Sequence, residues 1–180
     1  KWPTKVPKTV GNVVRPQDYI NRFGLDALRY FVFREMVFGQ DADFTDEAFL
    51  TRYNSDLAND LGNLVSRATT MVHRYCGGAG PAPDASLLKR EPEERLAALA
   101  DRVVGARAGW FDSFALSGQL RSVWELIAET NRYIVTREPW ALAKDPARAA
   151  ELHAALYVAA DTVRIVAELL GPFMPGTAER

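Results

Sequence analysis

Six polar side chains recur along the stretch Asn54 to Tyr75, NSDLANDLGNLVSRATTMVHRY: Asp56, Asn59, Asn63, Arg67, Thr70 and Arg74. Wound as an α-helix they share an arc of about 80°, and from Asn63 onward they fall at i, i+4, i+7 and i+11. Amides carry donors and an acceptor, a guanidinium carries a fork of donors and a hydroxyl does either, so such a row can read the hydrogen-bonding edges of a polar ligand. An ordinary solvated face has the same period, although it more often mixes Lys with Glu. A second candidate is the pair Lys5 and Lys8, three residues apart in a segment with two prolines and a glycine. Their ammonium groups can converge on one anion if the loop closes; solvated loop lysines are the plainer alternative. A third is Trp140 behind Pro139, an aromatic plane at a corner, which can support a ligand or simply pack that corner. The lone Cys76 excludes an internal disulfide, and His73 and His153 lie too far apart in sequence for a metal-ligand spacing.

These residues need a scaffold, and the composition predicts a helical one. The 180 residues are 48% apolar, β-branched runs are short, and the class expected is mainly α, an antiparallel helix bundle. Opposite the polar row, Leu57, Leu61, Leu64, Val65, Ala68, Met71, Val72 and Tyr75 form the expected core face. The segment TKVPKTVGNVVRP predicts a basic loop and then an edge strand or turn. Helices come next from Pro16 to Phe23, stopped by Gly24, and over LDALRYFVFREM with Leu25, Leu28, Phe31, Val32 and Met36 on one face. VFGQDADF predicts a turn with a short extended piece ending at Phe44, and Thr45, Asp46 and Glu47 signal the next helix start. CGGAGPAPDAS is the clearest linker. Beyond it the period of 3.6 predicts helices over Pro92 to Phe111, Ser117 to Thr136 and Ala147 to Leu170, with Trp110 and Trp124 in apolar stripes. Pro139 suits a first helical position, and PFMPGTAER begins one more short helix.

A formal net charge of −1 argues against a sequence-blind coat on DNA or RNA, which rests on many phosphate neutralisations, so any RNA contact is expected to be local and no DNA partner is expected. No apolar run reaches the ~20 residues of a membrane span. The single cysteine makes a reduced, cytoplasmic setting the default expectation. The opening Lys1-Trp2-Pro3, without a methionine, suggests a piece of a longer protein.

Taken together, four stretches in order carry a resemblance. KVPKT with VGNVVRP resembles the KMSKS loop of class I aminoacyl-tRNA synthetases and its continuation, and FGLDALRYFVFREMVFGQDADF resembles the segment downstream of that loop in methionyl-tRNA synthetases. NSDLANDLGNLVSR and REPWALAK continue the match, so that it runs from Lys5 to about Arg180. The resemblance implies the C-terminal portion of such an enzyme: residues 1–44 as the loop and stem-contact region, and residues 45–180 as the helical anticodon-binding domain. It implies that Lys5 and Lys8, with Thr9 supplying a hydroxyl, engage ATP and Mg during activation of methionine. Val6, Pro7 and Thr9 replace the usual methionine and two serines, and Pro7 removes a backbone donor.

The resemblance also implies that Asn63 and Arg67 read anticodon bases of tRNA(Met), and that Trp140 after Pro139 is the plane on which a base stacks. The ATP-binding sheet, the HIGH-type motif, the methionine pocket and the zinc-bearing insertion of the family have no counterpart in these residues. These 180 residues alone are therefore expected to be inactive and to hold no cofactor, with ATP and methionine bound through the rest of the ligase. Two alternatives stay open: a related synthetase of cysteinyl or leucyl type, and a catalytically silent helical module that binds tRNA or protein.

Overall fold

The structure, a computed structural model, describes residues 14–37, 39–40 and 44–179; the expected loop carrying Lys5, Lys8 and Thr9, the edge strand or turn expected after it as far as Val13, and the extended piece expected before Phe44 lie outside the described residues. Nearly everything described is helical. Helix α1 (Pro16–Phe23) starts on a proline, whose missing N–H is no loss in a first turn, and ends at Gly24, whose φ of 87° reverses the chain. Helix α2 (Leu25–Glu35) begins without an intervening loop. Thr45 caps α3 (Asp46–Arg52), its hydroxyl accepting from the Ala48 N–H at 3.1 Å. The chain then continues as a π-helical segment, Tyr53–Gly62, into α4 (Asn63–Cys76). Gly77 ends α4 in the left-handed region, its N–H returning to the Val72 carbonyl, as the glycine pair predicted.

The remaining helices form a bundle around one core. They are α5 (Glu91–Asp112), α6 (Leu116–Arg137), the one-turn α7 (Pro139–Leu142), α8 (Ala149–Leu170) and the short α9 (Pro175–Ala178). Helices α5 and α6 are joined by three residues and pack along each other, which makes them antiparallel. Leu64, Leu120, Ile127, Ile134 and Leu156 are fully buried where α4, α6 and α8 meet. A second, aromatic cluster sits beside it: Tyr19 of α1 is 4.9 Å, centroid to centroid, from both Phe44 and Phe49, and Phe23 is 5.0 Å from Phe49. Such edge and tilted contacts add to the area the rings bury.

Helix α2 joins the two clusters because neighbouring residues point about 100° apart. Phe31 enters the aromatic cluster, while Tyr30 lies 4.5 Å from Trp124 in the main core. The C-terminal end closes onto the same helix. Arg29 donates to the Phe173 and Pro172 carbonyls at 2.9 and 2.7 Å, and the Asp26 carboxylate accepts from the Thr177 N–H and hydroxyl at 2.6 and 2.8 Å.

Two apolar positions depart from the simple helical pattern. Leu25, expected on the buried face of α2, is 53% exposed because it is the first residue after the Gly24 turn. Val65, expected on the core face of α4, is exposed at the rim between its buried neighbours Leu64 and Ala68.

Candidate nucleic-acid interface

Of the polar row expected on the central helix, Asn59, Asn63, Thr70 and Arg74 are exposed and Arg67 is half-buried. Asp56 is not part of it. Its side chain is turned inward, 5% exposed, and accepts from the Tyr30 hydroxyl at 2.5 Å, with Arg52 at 3.4 Å and Arg34 at 3.8 Å. The cause is the π-helical winding of Tyr53–Gly62, whose i→i+5 bonding turns the chain more slowly than an α-helix. The polar arc is therefore set by α4, and extrapolating it backwards at the α-helical angle puts Asp56 on the wrong side. Gly62 belongs to this wide turn: a Cβ there would stand 3.1 Å from the Leu57 carbonyl, five residues back.

Burial and the Asp56 hydrogen bond push the Tyr30 phenol well above its ordinary pKa. Burial, with a smaller contribution from the Asp56 charge, raises the Asp60 carboxyl. The backbone of this segment is tied sideways as well, since the Asn131 amide of α6 donates to the Asp60 carbonyl at 3.1 Å. The start of α4, where Asn63 stands, is thus held from α2, α3 and α6.

Trp140 arrives at this face from the other end of α6. Glu138 closes α6 in the left-handed region, φ 45° and ψ 60°, and the Ala141 and Leu142 N–H groups bond back to its carbonyl at 2.8 and 3.1 Å. The chain reverses in that one residue and begins α7. Pro139 and Leu142 are buried, which leaves the indole of Trp140 between them 38% exposed. The guanidinium carbon of Arg67 lies 5.7 Å from the centroid of that ring. This is a cation–π distance, and it brings together three residues, Asn63, Arg67 and Trp140, separated by up to 77 positions in sequence. An exposed aromatic plane, a forked donor over it and an amide one turn away are the groups an unstacked base needs.

The other arginines divide. Arg74 is exposed, its guanidinium 5.5 Å from the Tyr75 ring. Arg132 is exposed and paired with Glu129. Arg137 is committed inward, an ion pair 3.0 Å from the Glu93 carboxylate without an aligned hydrogen bond. Glu93 is 2% exposed and also accepts from the Tyr133 hydroxyl at 2.9 Å. Sequence reasoning missed this cluster, since Tyr133 and Arg137 are one turn apart but Glu93 is forty positions away.

Trp124 is 7% exposed and Trp110 half-buried against the main core, as their apolar stripes predicted. The large cleft of about 740 Å³ lies elsewhere, apolar and lined by α2, α4, α8 and α9 residues such as Leu25, Val65, Val163 and Leu170. It contains none of Asn63, Arg67 and Trp140. Among the described residues no His, Cys, Asp and Glu side chains are grouped to hold a metal ion, and no described helix is long and apolar enough to cross a membrane.

Comparison with known proteins bears directly on this face. A family model described as "tRNA synthetases class I (M)" matches residues 3–69, a span that takes in Asn63 and Arg67. The methionine–tRNA ligase of Caldanaerobacter subterraneus subsp. tengcongensis is 40% identical over 176 residues, 98% of this chain and 27% of that protein. That of Bacillus subtilis is 42% identical over 98% of this chain and 26% of its own length. The chain belongs to the methionyl-tRNA synthetase family. A solved Mycobacterium tuberculosis methionyl-tRNA synthetase, in complex with methionyl-adenylate, superposes with a TM-score of 0.90 at 38% identity, covering 96% of this chain and 34% of that one. The likeness to methionyl-tRNA synthetases therefore includes the corner at Trp140 as well as the α4 row, while the chain spans about a quarter of the length of these curated relatives. The family model is the methionyl one, which favours that reading over the cysteinyl or leucyl type.

Proposed function

We propose that this chain is the anticodon-reading portion of a methionine–tRNA ligase, with Asn63 and Arg67 addressing base edges of the tRNA(Met) anticodon and Trp140, seated by Pro139, stacking one base. The observation that carries the reading is the Arg67 guanidinium 5.7 Å from the ring of the exposed Trp140, with Asn63 one turn before Arg67. Base-on-aromatic stacking contributes about 1–3 kcal/mol, and a hydrogen-bonded edge supplies the discrimination that stacking lacks. Residues 45–180 form the anticodon-binding unit in this reading. Residues 1–44 form the loop and stem-contact region that leads into it.

In the whole ligase, which acts in the cytoplasm, the methionine carboxylate attacks the α-phosphate of ATP and displaces pyrophosphate, and a hydroxyl at the 3′ end of the tRNA then takes methionine from the adenylate and releases AMP. Lys5 and Lys8 place positive charge against the ATP phosphates, most effectively where charge develops in the transition state, and Thr9 adds a hydroxyl. The Mg ion that accompanies ATP is not assigned to any described side chain.

The direct test is binding of a CAU anticodon stem-loop against one with a changed anticodon. Selective binding that weakens with salt, but less steeply than for a strongly basic protein, is expected. Equal binding of any stem-loop points instead to a generic module. For the loop, Lys8→Ala in the intact ligase is expected to lower methionine-dependent pyrophosphate exchange strongly while leaving stem-loop binding nearly intact. Unchanged exchange removes Lys8 from the mechanism.

A further inference from the structure

The buried carboxylate of Glu93 meets the last two turns of α6, just ahead in sequence of the tryptophan corner. Its oxygen Oε1 is gripped twice from α6: by the Tyr133 hydroxyl at 2.9 Å and by the Arg137 guanidinium, one turn later, at 3.0 Å. The side chains of Glu93 and Arg137 are 1% and 15% exposed, so their attraction is little screened by solvent. Burial, then the Glu93 charge, pushes the Tyr133 phenol well above its ordinary range.

The placement is electrostatically consistent. Glu93 lies in the first turn of α5 and Arg137 in the last turn of α6, each at the helix end whose dipole favours its charge. A second ion pair braces the same end of the bundle, with Glu151 of α8 held by Arg148 at 3.0 Å and by Arg90 at 3.5 Å.

Arg137 is the last residue of α6, and the next residue, Glu138, must hold a left-handed conformation that a non-glycine residue adopts at a cost. That conformation aims Pro139 inward and Trp140 outward. If the last turn of α6 frays, the reversal moves along the chain and the indole leaves Arg67. An apolar contact at Pro139 and Leu142 seats α7, while the Tyr133 hydroxyl and the Arg137 ion pair tie the last turns of α6 to Glu93.

Resting on the anticodon reading above, we propose that Glu93 is a positioning residue for RNA recognition. With Tyr133 and Arg137 it fixes the end of α6, and through it the placement of Trp140 under the stacked base. It touches no ligand, so its effect must pass through the indole. This separates it from a residue that merely stabilises the bundle.

The test is a double-mutant cycle in the intact ligase, read as affinity for a CAU anticodon stem-loop. Glu93→Gln keeps the shape and removes the charge. It is expected to weaken binding about fivefold when Trp140 is present and less than about twofold when Trp140 is already Ala, the non-additivity of residues acting as one unit. An undiminished loss in the Trp140→Ala background, or no loss in either, overturns the proposal. Should Glu93→Gln not fold cooperatively, Tyr133→Phe removes one grip on the carboxylate and is read by the same cycle and the same two outcomes. If Trp140→Ala and Arg67→Ala by themselves leave CAU binding unchanged, the anticodon reading itself fails and takes this proposal with it. If they weaken binding while Glu93→Gln shows no coupling, the positioning role alone is rejected.

Discussion

Two buried carboxylates stand behind the two halves of the candidate interface, and they are built alike. Asp56 accepts a tyrosine hydroxyl, from Tyr30 at 2.5 Å, with Arg52 and Arg34 nearby; Glu93 accepts a tyrosine hydroxyl, from Tyr133 at 2.9 Å, with Arg137 beside it. Asp56 lies seven residues before Asn63 and ties the π-helical segment to α2 and α3. Glu93 ties α5 to the end of α6, just ahead of the corner that carries Trp140. The difference is in what each joins. Asp56 ties the π-helical segment to Tyr30 of α2 and Arg52 of α3 at the edge of the main core, so its loss is felt as stability. Glu93 links two helices that already share a large apolar contact, so its loss is felt at the corner.

The largest effect expected from this contrast is at Asp56. Asp56→Ala leaves the Tyr30 hydroxyl buried without its acceptor and the Arg34 guanidinium without its nearby counter-charge, and should cost about 3–5 kcal/mol of unfolding free energy, as for breaking a buried pair. Urea denaturation measures it. A loss below about 1 kcal/mol shows that the two networks are not distinct in kind and that Asp56 behaves as a surface charge.

A much smaller effect of opposite sign is expected four residues on. The Asp60 carboxyl is raised by burial and by Asp56, so the folded state holds its proton more tightly than the unfolded chain. Its contribution therefore falls as pH rises from the ordinary aspartate range through the raised folded value, and above that range it remains unfavourable. Asp60→Asn should then stabilise the protein at neutral pH by less than about 1 kcal/mol, with the gain vanishing at low pH. Unfolding midpoints across pH check it, and a neutral-pH loss contradicts it. The Asn131 contact is to the backbone carbonyl and survives the substitution.

The same two regions show what could be read from residue order. The row Asn63, Arg67, Thr70, Arg74 was legible because α4 winds at the regular angle over 14 residues and ends at a glycine pair. The inward faces of α6 and α8 were legible for the same reason: Leu120, Val123, Trp124 and Ile127, and Leu152, Leu156 and Ala159, are all buried. The orientation of Asp56 was not, because a π-helical run keeps the composition of an α-helix while changing its phase. Arg137 is held by Glu93, a partner forty-four positions away that only the tertiary fold supplies. Trp140 was legible as an aromatic at a proline corner, but its place over Arg67 depends on the Glu138 reversal, for which no glycine marks the sequence.

The central claim is that Arg67 and Trp140 form one base-binding unit with Asn63. It is tested most directly by titrating a CAU anticodon stem-loop against folded Trp140→Ala and Arg67→Ala proteins, with circular dichroism confirming the helix content of each. Trp140→Ala is expected to weaken binding about tenfold or more, in keeping with the free energy of one stacked base. Arg67→Ala is expected to lower both affinity and discrimination against a changed anticodon. Unchanged CAU affinity in both folded variants contradicts the assignment.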